Sequence, residues 1–196
     1  MLCAAPEAGV DAGWILSKLQ RPTPSSTAFV ELHDSPLLRA PLRLSGEYRR
    51  PDSDTLVREV RAPYAETTTI RPNDVTIARA GKTPRTFSLA RAPELAGLQA
   101  SFGALLGGDR RVLEQHYRIA SEGVRQHWTL TLVPTDAAFA TRVRQIVLHG
   151  RGAELRCIET QPTKGPVQRT LLAGAAHEAD GVADATALAT LCRAAS

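Results

Sequence analysis

Apolar and polar residues alternate with a period of two over most of this chain, the mark of strands with one buried face. Residues 39–50 show it most clearly. Leu42, Leu44, Gly46, Tyr48 and Arg50 fall on one face, and Arg43, Ser45, Glu47 and Arg49 on the other. Residues 124–133 repeat the pattern, with Trp128, Leu130 and Leu132 opposite His127, Thr129 and Thr131. Further strands are predicted over 26–33, 55–62, 64–71, 75–80, 84–90, 115–121, 142–149, 153–160 and 166–173, about eleven in all. Turn chemistry separates them, as at Pro51-Asp52-Ser53-Asp54, Arg71-Pro72-Asn73-Asp74 and Gly81-Lys82. Short turns make sequence neighbours antiparallel.

Helical spacing interrupts the alternation. Residues 11–20 read as a short helix capped by Asp11, with Trp14, Ile15 and Leu19 on one face and Pro22 and Pro24 beyond its end. Over 93–107, Leu95, Leu98, Phe102, Leu105 and Leu106 form a helical stripe, with Pro93 near its start and Gly107-Gly108 at its end. Asp109 caps a further turn reaching Leu113, and Thr135-Asp136 opens a short one ending at Phe139. The alanine-rich tail from Gly181 to Ala194 is helical, with Val182, Leu188, Leu191 and Cys192 as its apolar members. The fold class is therefore mainly β with helices (α+β). A sheet of about eleven strands must curl or split. Curled, with the 93–107 helix over its concave side, it encloses a hollow suited to an apolar ligand.

Composition narrows the function. The net charge is +4, nearly all from arginine, since lysine occurs only at Lys18, Lys82 and Lys164. Basic residues are scattered among acids and aromatics make up only 5%, so a nucleic-acid stripe with stacking platforms is excluded as a first choice. No apolar run approaches the roughly 18 residues of a membrane-spanning helix. His33, His116, His127, His149 and His177 show no HExxH or HxH spacing, and there is no GxSxG elbow, Walker loop or CxxC. No catalytic residue, metal or cofactor is expected. Glu47 and Glu59, on neighbouring strands, are assigned to a polar face, and His127 and His149 to the surface. Cys157 and Cys192 either pair in an oxidising compartment, pinning the last helix to the sheet, or stand as two buried thiols. Residues 1–10, with Cys3, read as an export-signal remnant or a disordered start, and 11–196 as one domain.

The order of these pieces resembles the LolA-type lipoprotein carriers of the bacterial periplasm over about residues 11–174. Thr27-Ala28-Phe29 is similar to that family's first strand. Gly46-Glu47-Tyr48-Arg49-Arg50-Pro51-Asp52 resembles its glycine, aromatic, basic, Arg-Pro segment, and Pro63-Tyr64 fits the next turn. Leu105-Leu106-Gly107-Gly108-Asp109 resembles the end of its lid. Trp128-Thr129-Leu130-Thr131-Leu132-Val133-Pro134 resembles its W-x-L-x-L-x-P strand, followed by Ile146-Val147-Leu148. The resemblance implies a LolA-like half-open antiparallel β-barrel with a helical lid. Such a barrel takes acyl chains of lipoproteins from an inner-membrane donor and passes them to an outer-membrane acceptor. It also implies that Arg50 latches the lid. Parity supports this, because Arg50 shares the face of Leu42, Leu44 and Tyr48, where a lone charge is costly unless paired. Asp54-Thr55-Leu56-Val57-Arg58 and Asn73-Asp74-Val75-Thr76-Ile77 lack the aromatics usual at those places. This marks a divergent relative whose cargo is a lipoprotein, a free lipid or, as in some relatives, a polyene pigment.

The resulting expectation is a monomeric, non-enzymatic periplasmic carrier. Phe29, Leu42, Leu44, Tyr48, Leu56, Val60, Trp128, Leu130 and Leu132 would line the concave face, covered by Leu95, Leu98, Phe102 and Leu106. Its partners would be acyl chains or another long apolar molecule, an inner-membrane donor and an outer-membrane acceptor, and no nucleic acid. The alternatives are a lipid-related sensor or adaptor of the same fold, and a lipid hydrolase or acyltransferase. The enzyme reading requires a buried acid–base pair beside the cavity.

Overall fold

The computed structural model of the protein describes residues 9–33, 41–89 and 105–194. Eleven strands form one antiparallel sheet: β1 (Ser25–His33), β2 (Leu42–Arg50), β3 (Leu56–Ala62), β4 (Glu66–Ile70), β5 (Asp74–Arg79), β6 (Arg85–Ser88), β7 (Tyr117–Val124), β8 (His127–Pro134), β9 (Val143–Arg151), β10 (Glu154–Pro162) and β11 (Gln168–Leu172). Their order is β6-β5-β4-β3-β2-β1-β11-β10-β9-β8-β7. The chain meanders outward from β1 to one edge, crosses to the opposite edge at β7, and meanders back until β11 pairs with β1. The two edges do not pair with each other, so the barrel is half open.

The sheet is curled. On a flat sheet five strand spacings would set β4 and β10 about 24 Å apart. Yet Thr68 and Ile70 of β4 border the same hollow of about 440 Å³ as Ile158 and Thr160 of β10. The alternation seen in the sequence decides which side chains turn inward. In β8, for example, Trp128, Leu130, Leu132 and Pro134 are buried, while the residues between them are partly exposed.

Five helices complete the described structure. In α1 (Ala12–Leu19) the Asp11 carboxylate accepts from Trp14 N at 2.9 Å, and Ile15, Leu16 and Leu19 are buried. This helix lies inside the curl, against β7 and β10. In α2 (Arg110–His116) Asp109 accepts from Val112 N, and in α3 (Ala137–Ala140) Asp136 accepts from Phe139 N. Residues 105–107 are helical; the rest of the predicted 93–107 helix, with Leu95, Leu98 and Phe102, lies outside the described residues. On the far side of the sheet α4 (Ala173–Glu178) and α5 (Ala185–Ala194) pack on β1, β10 and β11.

The helix α4 is absent from the sequence reading, which ran β11 to residue 173 and began the tail at Gly181. Ala173-Gly174-Ala175-Ala176 carries little hydrophobic periodicity, and the helix starts without a side-chain cap, entered through Ala173 at φ 49°. Its buried alanines gain meaning only from the sheet beneath them.

Two cores result, one on each face. The concave core joins α1 to side chains from both arms of the sheet, from Val75 on β5 to Tyr117 on β7. The convex core is smaller: Val30, Leu171, Ala175, Ala176, Ala179 and Leu188 surround a disulfide between Cys157 on β10 and Cys192 on α5. The bond resolves the two readings of these cysteines in favour of pairing, and it pins the last helix to the sheet.

Candidate functional site

Most of the residues expected on the concave face are packed into its core. Phe29, Val60, Trp128, Leu130 and Leu132 are almost fully buried in the concave core. Trp128 shows how tightly. Its indole lies over Gly150, where a Cβ would come within 2.0 Å of Cζ2, and its Nε1 donates to the Gly152 carbonyl at 3.0 Å. Leu44 and Leu56 are equally buried in that core and also border open space. Leu42, Leu44, Tyr48 and Leu56 border the 440 Å³ hollow, together with Ile70 and Ile158. Leu56 and Tyr48 also border a smaller hollow of about 100 Å³, which lies among Leu19, Leu106, Leu155 and Leu172.

Arg50 borders that smaller hollow and is buried, as its parity predicts. Its Nη1 donates to the Arg21 carbonyl at 3.5 Å. The backbone N–H of Arg21 in turn donates to the Leu106 carbonyl at 3.0 Å, and Gln20 Nε2 donates to the Gly107 carbonyl at 3.0 Å. One residue after α1 thus joins Arg50 to the end of the inserted helical segment. The described partner of Arg50 is this intermediary rather than a carbonyl of residues 105–107.

A buried polar group absent from the sequence reading lies on the same concave face. Glu31 on β1 receives four hydrogen bonds. Arg58 Nη2 donates to Oε2 at 2.7 Å, with His33 Nε2 at 3.0 Å from the same oxygen; the Tyr48 hydroxyl and Thr170 Oγ1 donate to Oε1 at 3.2 and 3.1 Å. The Arg58 guanidinium lies 4.9 Å above the centre of the Phe29 ring, which itself stacks at 4.8 Å on Tyr48. Burial pushes the Glu31 carboxyl upward, but the bonds from His33 and Arg58 outweigh it and hold it below the ordinary carboxylate range. Burial, with the Glu31 charge next, pushes the Tyr48 phenol up. Glu31 is therefore an ion and Tyr48 a neutral donor at neutral pH. The signal was present in the pattern: Glu31 has the parity of Phe29, and Arg58 stands between Leu56 and Val60.

Glu47 and Glu59 do sit on the polar face, in ion pairs with Arg61 and Arg49. His127 is exposed, as expected. His149 is a correction. It is 8% exposed on the convex face, beneath α5, and among the described residues neither ring nitrogen has a hydrogen-bond partner. Burial pushes its pKa down. His149, Glu159 and Cys192 place possible ligand atoms within 4.8 Å of one another. The sulfur is taken by the disulfide, however, and Glu159 by Arg169 at 2.9 Å, which leaves one imidazole.

Comparison with known proteins identifies a family. The profile of the family described as outer membrane lipoprotein carrier protein LolA-like matches residues 4–195. No curated protein matches the chain. Among solved structures, a LolA superfamily protein from Nitrosomonas europaea is similar at 12% identity, over 84% of this chain and 92% of that one, with a TM-score of 0.41. The chain belongs to the LolA-like family of outer membrane lipoprotein carrier proteins.

Proposed function

We propose that the protein is a periplasmic carrier that shelters an acyl chain in the concave hollow and delivers it toward the outer membrane. The observation that carries this reading is the 440 Å³ hollow on the concave face, walled by Leu42, Leu44, Leu56, Ile70 and Ile158. Burying ten methylenes there would favour binding by roughly 8 kcal/mol before ordering costs. The chain enters by displacing the segment whose described part, residues 105–107, is helical. That segment is held in part by the relay from Arg50 through Arg21, so Arg50 tunes release rather than binding. Among the described residues no helix is long and apolar enough to cross a membrane.

Native mass spectrometry of the protein recovered from its own periplasm tests the reading. A bound acyl species is expected; a uniformly unladen protein would contradict it. Arg50→Leu is expected to loosen the segment and impair hand-off in a transfer assay, and unchanged transfer would remove the latch.

A further inference from the structure

Glu31 and Arg58 stand on the apolar side of the sheet, but their unused bonding capacity differs. Each oxygen of Glu31 already has two partners: Tyr48 and Thr170 on one, Arg58 and His33 on the other. A carboxylate offers about four lone-pair sites, so Glu31 is saturated. A guanidinium carries five N–H donors, and the described bonds of Arg58 go to Glu31 and to the Tyr48 oxygen. Its side chain keeps 19% of its surface exposed, and that of His33 keeps 51%. Glu66, the other carboxylate bordering the hollow, is paired with Arg79, and Arg169 with Glu159. The hollow therefore has donors to offer from Arg58, and Leu42, Leu44, Leu56, Ile70 and Ile158 add apolar surface to its lining.

We propose that this hollow binds a single-chain amphiphile with an acidic head, a carboxylate or a phosphate monoester, its head on Arg58 and His33 and its chain along Leu44, Leu56 and Ile158. This rests on the carrier reading and deepens it by naming the ligand class. Glu31 is a positioning residue. It fixes the guanidinium above Phe29 at the border of the hollow. An acidic head then meets a preoriented cation and makes charge-assisted hydrogen bonds. An uncharged hydroxyl head can accept from the same cation, but without the charge on the acceptor the bond is weaker. The volume, about 440 Å³, falls within the range of roughly 300 to 1,000 Å³ typical of small-molecule sites.

Displacement of the neutral dye Nile red from the full chain tests this, with hexadecanoate, hexadecyl phosphate, hexadecanol and inorganic phosphate as competitors. Both acids are expected to displace the dye at about tenfold lower concentration than the alcohol, since hydrogen bonds to charged groups are the stronger kind. In Arg58→Gln the acids should fall to the level of the alcohol, with the alcohol unchanged. Should that variant fail to fold, His33→Gln, at a half-exposed position, is expected to lower the acid preference about threefold, by the loss of one head contact. Equal displacement by acid and alcohol in the unaltered protein would overturn the head assignment and leave the carrier reading standing. Displacement by inorganic phosphate alone would overturn the requirement for a chain. Failure of all three chained competitors would overturn the carrier reading itself.

Discussion

The two faces of the one sheet are built by opposite means. On the convex face small side chains let α4 and α5 lie close against β1, β10 and β11, and a disulfide fixes them there. On the concave face large side chains from both arms pack around α1 and still leave open space beside an ion pair. A carrier, as proposed, needs low-stability elements on one side and a backing that does not yield on the other. A strong back leaves the front free to stay partly unfilled.

The largest expected effect comes from weakening the back. Replacing Cys157 and Cys192 together by alanine releases a crosslink across 35 residues and should cost about 3 kcal/mol of stability, read as a lower urea midpoint. Acyl-probe binding at low temperature should be retained, because neither cysteine borders the hollow. Lost binding in a folded variant would mean that the faces are not separable.

Next comes the packing of the front. Gly150→Ala places a methyl group where the Trp128 ring lies, and with no room to yield it should cost about 2 kcal/mol. Stability within a few tenths of the parent would show that the concave core yields as readily as the hollow beside it.

The smallest effect separates the faces by pH. The His149 pKa is depressed, so its contribution is present above the ordinary 6.5 and is lost as pH falls through the folded value. The Glu31 pKa is also lowered, so its contribution is present above the ordinary 4.5 and is lost only as pH falls further. Melting temperature should therefore decline in two stages on acidification. His149→Phe should remove the first stage, and Glu31→Gln should shrink the second, to which Asp52 and Glu59, also lowered, contribute the rest. A decline that either substitution leaves unchanged would contradict the assignment of that stage.

Much of this was legible in the chain. Alternation located the strands because each buries one face, and the same parity put Arg50 inside. It also carried the charged pair: Glu31 follows Phe29 by two residues, and Arg58 separates Leu56 from Val60. Both are passed over when only apolar positions are followed. What the chain did not show depends on docking. His149 looks solvent-facing until α5 covers it, and α4 has no periodic stripe of its own, because its alanines are chosen for closeness to the sheet. The packing of both arms onto α1 is likewise a matter of docking, since no local pattern encodes where that helix lies.

The most direct measurement is photocrosslinking with a fatty acid that carries a diazirine near its chain end, followed by peptide mapping. Adducts are expected on β2, β3, β4 and β10, around Leu44, Leu56, Ile70 and Ile158. Adducts confined to α4 and α5, or spread evenly over the protein, would contradict the carrier reading.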